Sequence, residues 1–272
     1  MSNGITSELA DGVACLTLDR PAVMNRFEGV MREELRDALA RASGDPAVRS
    51  VMITGAGAAF SAGADIEEMV GLHRRGDVAE IRRRVDLGAD VIRAVRSMPK
   101  PVVAAVNGVA AGAGINLALA CDVRVGSDAA AFSESFVRIG LVPDWGGFHS
   151  LVRLVGTGRA ADLMMTGERI DAERAAALGL LDRVYPAETF ARDALAYARR
   201  LAEGPPGALA RIKAGIALAA AGGLEDVLAF ERETQPELFA GADCLEGMTA
   251  FLGRRPPEFG QDLPGRRERS GR

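Results

Sequence analysis

The chain has 272 residues, 48% of them hydrophobic, and a formal net charge of −4. That supports one large domain, or a domain with a helical appendage, and mild acidity argues against a general nucleic-acid binder. The longest apolar stretch, Pro101 to Val106 with its alanine-rich continuation, is broken by Asn107, Gly108, Gly112 and Gly114, so no membrane span is expected.

The N-terminal residues carry no basic region followed by an apolar one, so no secretory leader is expected. Cys15, Cys121 and Cys244 lie far apart, without metal-ligand or disulfide spacing, which suits a reducing, cytoplasmic setting. His73 and His149 are the only histidines. No metal site is therefore expected.

Val13 to Leu18 alternates as a strand does and stops at Asp19-Arg20-Pro21. Glu28 to Ala42 places Met31, Leu35, Ala38 and Leu39 at helical spacing, ending at Gly44-Asp45-Pro46. Val48 to Thr54 predicts a buried strand, and a Gly-Ala loop follows to Ala64. Asp77 to Met98 predicts a long charged helix, Pro101 to Val106 a strand, Asn107 to Gly114 a turn, Ile115 to Ala120 a helix and Val123 to Val125 a strand. This alternation predicts an α/β core with parallel pairing. Beyond Ala187 the pattern is helical: 189–203, 208–221, 224–238 and 244–252. The Arg-rich end, 261–272, is expected to be a flexible tail.

Familiar nucleotide motifs fail. Gly55-Ala56-Gly57 has Phe60 where a dinucleotide loop needs its third glycine, and there is neither a P-loop nor a nucleophile elbow. Two small-residue loops remain, Ala59 to Ile66 and Asn107 to Asn116, each between a strand and a helix. N–H groups that open a helix have no intrahelical acceptor and carry partial positive charge, so two that converge can hold a developing oxyanion. On the residues alone, tight helix–strand packing is the readier account of the same small residues.

Across residues 12–260 the chain resembles the enoyl-CoA hydratase/isomerase (crotonase) superfamily. The matching residues run in order: Leu18-Asp19-Arg20-Pro21 with Asn25, the two loops, Pro99-Lys100-Pro101, Cys121-Asp122, Gly140-Leu141-Val142-Pro143 with Gly146-Gly147, Thr166-Gly167-Glu168-Arg169-Ile170, and Glu246-Gly247-Met248. The resemblance implies a spiral of ββα units over 1–190 and a helical trimerisation part over 191–260, in trimers or dimers of trimers. It implies an acyl-CoA substrate, with coenzyme A part of that substrate. It also implies an oxyanion hole from the N–H groups of Ala62 and Ala113, with Gly112 the alternative to Ala113. The CoA portion is expected along Asn25, Arg26, Ala62, Ala64, Asp65 and Ile66, with Arg254 and Arg255 available to phosphates.

Hydratases of this family use two glutamates; here Asn116 and Phe136 stand at those positions. Neither side chain can transfer a proton. Asp144, in Val142-Pro143-Asp144-Trp145-Gly146-Gly147, stands where several family isomerases carry an aspartate, and the chain resembles the phenylacetate-pathway isomerase type in its Ala-Gly-Ala-Gly loop and Pro-Asp-x-Gly-Gly turn. An N-cap role for Asp144 explains it too. Phe136, Trp145 and Phe148 are expected to keep the pocket dry. The leading expectation is double-bond isomerisation by Asp144 as base and then acid. The alternatives are hydration, nucleophilic aryl-CoA dehalogenation at Asp144, or a catalytically weak CoA-ester-binding scaffold.

Overall fold

The computed structural model describes residues 4–260, so the expected tail lies outside the described residues. The chain opens with a hairpin, β1 (Ile5–Ala10) and β2 (Val13–Leu18). Asp11 and Gly12 link them, both at positive φ, as a two-residue hairpin turn requires. Helix α1 (Met31–Gly44) follows.

From there each turn of the chain lays one strand in a large sheet and a short one in a small sheet. The first turn contains β3 (Ser50–Gly55), β4 (Ala59–Ser61), α2 (Ile66–Arg74) and α3 (Val78–Ser97). The second contains β5 (Val102–Val106), β6 (Val109–Ala111) and α4 (Ala113–Ala120). The third contains β7 (Val123–Ser127), β8 (Ala131–Ser133), a 3-10 turn at Ser135–Ile139, α5 (Gly147–Val155) and α6 (Thr157–Thr166). Then come β9 (Arg169–Asp171), α7 (Ala172–Ala177) and β10 (Arg183–Tyr185), and finally α8 (Phe190–Ala202), α9 (Pro206–Ala219), α10 (Leu224–Phe239) and α11 (Ala242–Leu252).

The large sheet has the order β1-β2-β3-β5-β7-β10, parallel except for the β1–β2 hairpin. The small sheet has the order β4-β6-β8-β9, parallel except for β8–β9. This is the expected ββα spiral. The small sheet itself is the departure: the segment expected as a turn, Asn107 to Gly114, contains β6. Three-residue strands of small residues are too short to carry a period of two.

The alternation of β3 sorts its side chains between two cores. Val51 and Ile53 join the main core with Leu35, Leu39, Val91, Val95 and Leu117. Met52 faces the other way, with Val103 and Val125, onto Phe190, Ala194 and Ala198 of α8. Helices α9 to α11 bury little: no residue of α9, and only Thr234 of α10. Lys213 ties α9 to the core, pairing with Asp122 at 2.8 Å and donating to the Val95 carbonyl. Among the described residues no helix is long and apolar enough to cross a membrane.

Candidate active site

The two loops singled out in the sequence meet where β4 leads to α2 and β6 leads to α4. Gly63 makes the contact possible. Its φ is +87°, and a Cβ there would lie 2.7 Å from the Ala111 carbonyl oxygen and 3.3 Å from the Ala113 nitrogen. The hydrogen bonds decide which N–H groups are free. Ala62 donates to the Met24 carbonyl at 2.9 Å, and Gly112 donates to the Ser133 carbonyl at 3.1 Å. The N–H groups of Ala64 and Ala113 have no acceptor among the described residues, and both residues line one cavity. The expected Ala62 N–H is thus engaged and the Ala64 N–H free, and in the second loop the free N–H is that of Ala113, not Gly112. The sequence gives no sign that residues 24 and 25, at positive φ, fold over the loop and occupy the Ala62 N–H.

The cavity measures about 90 Å³, and Met69, Phe136, Ile139, Leu141 and Trp145 form much of its apolar wall. Trp145 adopts φ +50° and lies against Phe27 with ring centroids 4.5 Å apart. It seats into α3 because Gly88 has no side chain: a Cβ there would stand 2.4 Å from the indole nitrogen. Phe148, expected in this wall, is instead 52% exposed, because the first turn of α5 carries it outward. Arg32, Arg84, Ser135 and Asp144 are the polar groups of the lining.

Asp144 does not cap α5. Gly146 is the N-cap residue and no side chain bonds there, while Asp144 Oδ1 has no hydrogen-bond partner. Burial pushes its carboxyl up to about 6, against the lowering effect of the Arg32 charge. Asn116, fully buried on α4, donates its amide to the Asp144 backbone carbonyl at 2.9 Å. Glu134 is a second buried acid in this region. It is 2% exposed and neither carboxylate oxygen has a hydrogen-bond partner. Burial pushes it up to about 8, the Asn116 amide offsetting part of the rise and the Asp144 charge adding to it. Glu134 is thus a neutral acid at pH 7 and is not in the cavity lining. Its position beside a 3-10 turn follows no period that would have revealed it.

Among the described residues no three His, Cys, Asp or Glu side chains converge as metal ligands would. The arrangement offers two backbone donors for one oxygen and one carboxylate of raised pKa in an apolar wall.

The family model for enoyl-CoA hydratase/isomerase matches residues 8–262. The chain belongs to this family. A probable enoyl-CoA hydratase of Rhodobacter capsulatus is 42% identical over 255 residues, covering 94% of this chain and 97% of that one. The 1,2-epoxyphenylacetyl-CoA isomerase of Escherichia coli is 37% identical, covering 95% and 99%. The crystal structure of an enoyl-CoA hydratase from Polaromonas superposes with a TM-score of 0.89 at 38% identity, covering 94% and 99%.

In this member of the enoyl-CoA hydratase/isomerase family, the residues expected along the CoA portion divide into two groups. The Asn25 side chain is fully buried and occupied: it donates to the carbonyls of Ala56 and Ala59 and accepts the Arg20 N–H. It shapes the first loop and is closed to a ligand, which corrects that expectation. Arg26 is partly exposed and pairs with Glu28 and Asp65, each at 3.1 Å. Asp65 caps α2, accepting from the N–H groups of Glu67 and Glu68; these bonds and Arg26 outweigh its burial and hold its carboxyl below the usual range. Ile66 and Ala64 line the cavity. Arg255 is held by Glu246 through two hydrogen bonds, at 2.6 and 2.8 Å.

Proposed function

We propose that this enzyme moves a double bond within an unsaturated acyl-CoA. The thioester oxygen binds between the N–H groups of Ala64 and Ala113. Asp144 removes a proton from the activated carbon, and the dienolate charge collects on the oxygen that the two donors hold. The protonated Asp144 then returns the proton two carbons away. One carboxylate suffices because it serves as base and then as acid. A single oxyanion donor is worth about 3–4 kcal/mol of barrier in measured cases.

The observation that carries this reading is Asp144 itself, the lone carboxylate in the cavity lining, with its raised pKa and with Asn116 and Phe136 at the positions of the hydratase glutamates. The test is turnover of 2-enoyl and 3-enoyl CoA thioesters by wild type and Asp144→Asn. Isomerisation of the 3-enoyl ester should fall about 100- to 10,000-fold in the variant, the range for a proton-transfer group. Near-wild-type turnover rejects the assignment.

Hydration is the second reading, favoured by the names of relatives such as that from Rhodobacter capsulatus and by Glu134, which supplies a second acid close to Asp144. Addition of water to the 2-enoyl ester in the same screen would establish it. For assembly, we propose the trimer or hexamer implied by the resemblance. Ile216, Phe239, Leu245, Phe251 and Leu252 on α9 to α11 are each more than 60% exposed, more apolar surface than an isolated helical face usually shows. Sedimentation equilibrium measures the state.

A further inference from the structure

Arg32 is a charged group in the cavity that the proposed chemistry does not use. It lies on the first turn of α1 and is 5% exposed. Its Nε has no hydrogen-bond partner, and among the described residues it makes no ion pair. A buried cation without a partner is costly, and burial depresses its pKa from the usual value.

Two of the acids around it each hold another arginine through one oxygen, and none among the described residues pairs with Arg32. Glu68 is held by Arg84 at 2.5 Å, and Glu33 by Arg83 at 2.7 Å. Asp144, the remaining one, is needed free for proton transfer in the reading above. What does hold the guanidinium is the Phe27 ring, 6.0 Å from Arg32 Cζ, which itself packs on Trp145. The side chain is thus fixed in the wall that contains Asp144, in the lining of the cavity. Arg84, beside it in that lining, adds a second positive charge but is already paired with Glu68 and Glu80.

We propose that Arg32 binds an anionic group on the acyl part of the substrate, so that the preferred substrate is the mono-CoA thioester of a short dicarboxylic acid. A planar guanidinium suits a carboxylate because two N–H groups meet two oxygens. The cavity is small, which limits the chain between thioester and carboxylate to a few carbons. The proposal rests on reading this cavity as the acyl site, and it concerns binding, so it is testable without turnover.

The experiment is calorimetric titration of the full chain with adipoyl-CoA, hexanoyl-CoA and free CoA, for wild type, Arg32→Gln and Arg32→Lys. Wild type should bind adipoyl-CoA at least about 10-fold more tightly than hexanoyl-CoA, given the strength of a charge-assisted pair. That preference should vanish in Arg32→Gln and return in part in Arg32→Lys. Without ligand, Arg32→Gln should melt no lower than wild type. Equal binding of the two thioesters by wild type overturns the Arg32 proposal and leaves the acyl site intact. Equal weakening of all three ligands in Arg32→Gln also overturns it, and assigns Arg32 to the CoA portion. A variant that melts well below wild type overturns it as well, since the guanidinium would then be paired in the free protein. Failure of every thioester to bind refutes the acyl-CoA reading together with this one.

Discussion

The side-chain amide of Asn116 donates to the backbone carbonyl of Asp144 at 2.9 Å, so the residue expected at a hydratase-glutamate position supports the backbone that carries Asp144. Gly147 allows this approach, because a Cβ there would sit 2.5 Å from the Asn116 amide nitrogen. Asn116→Ala removes the bond and leaves a void beside Asp144. Loss of a buried hydrogen bond costs about 1–3 kcal/mol, so the melting temperature should fall. Turnover of a 3-enoyl-CoA should fall as well, because Asp144 loses its fixed position. A variant with wild-type stability and wild-type kcat would remove Asn116 from the site's support.

The raised pKa of Asp144 sets the pH dependence. The base must be unprotonated in the free enzyme, and its carboxyl titrates at about 6, above the ordinary aspartate range. The rate constant kcat/KM should therefore fall on the acid side, losing about tenfold per pH unit below that value. The Arg32 charge lowers the Asp144 pKa. Arg32→Gln should accordingly move the limb to higher pH. The measurement is kcat/KM across pH 4.5 to 8 for both proteins, and a flat profile over that interval contradicts the base assignment.

Glu134 makes an opposite kind of prediction, about stability. Its folded pKa is about 8, above the ordinary glutamate value of 4.5. Between those two pH values the native state holds a proton that the unfolded chain has released, so stability declines as pH rises through this window. Below about 4.5 the penalty is absent, and above about 8 it is complete. Glu134→Gln, neutral at every pH, should be more stable than wild type at pH 8.5, by up to about 4–5 kcal/mol on the linkage relation. At pH 4.5 the advantage should disappear. Denaturant melts at the two pH values decide it, and an equal difference at both would show that Glu134 is ionised in the folded protein.

The long elements are legible in the sequence because each carries many repeats of its period. The strand expected at Val13–Leu18 has those bounds in the structure, and Asp77 is the residue that caps α3, as its place at the head of the charged helix suggests. The two loops, and Asp144 beside them, were legible as small residues and a carboxylate in a familiar order. Less legible was anything that depends on one hydrogen bond between distant segments. Which N–H is free is settled by Met24 and Ser133, each a carbonyl on another piece of chain. Asn25 looked like a ligand-facing polar residue and is instead buried against Ala56 and Ala59. Arg32 and Glu134 resemble ordinary surface charges in a one-dimensional reading; only the packing of α1 and the 3-10 turn buries them.

Gly63→Ala tests whether the junction of the two loops makes the donor pair. The residue sits at φ +87°, where any side chain is strained. Its new Cβ would press on the Ala111 carbonyl at 2.7 Å and crowd the Ala113 nitrogen at 3.3 Å. The backbone must move, and the nearest backbone to move is the segment that carries the Ala113 N–H. Misplacing one oxyanion donor costs about 100- to 1,000-fold in kcat where it has been measured. The effect should fall on kcat more than on KM, because the donors act most strongly on the charge that develops after binding. Trp145 is the only tryptophan of the chain and lines the same cavity, so its fluorescence reports whether the thioester still binds. Retained quenching by a saturated acyl-CoA together with lost turnover is the expected pair of results. Turnover within a few-fold of wild type would mean that the oxyanion is held by other groups.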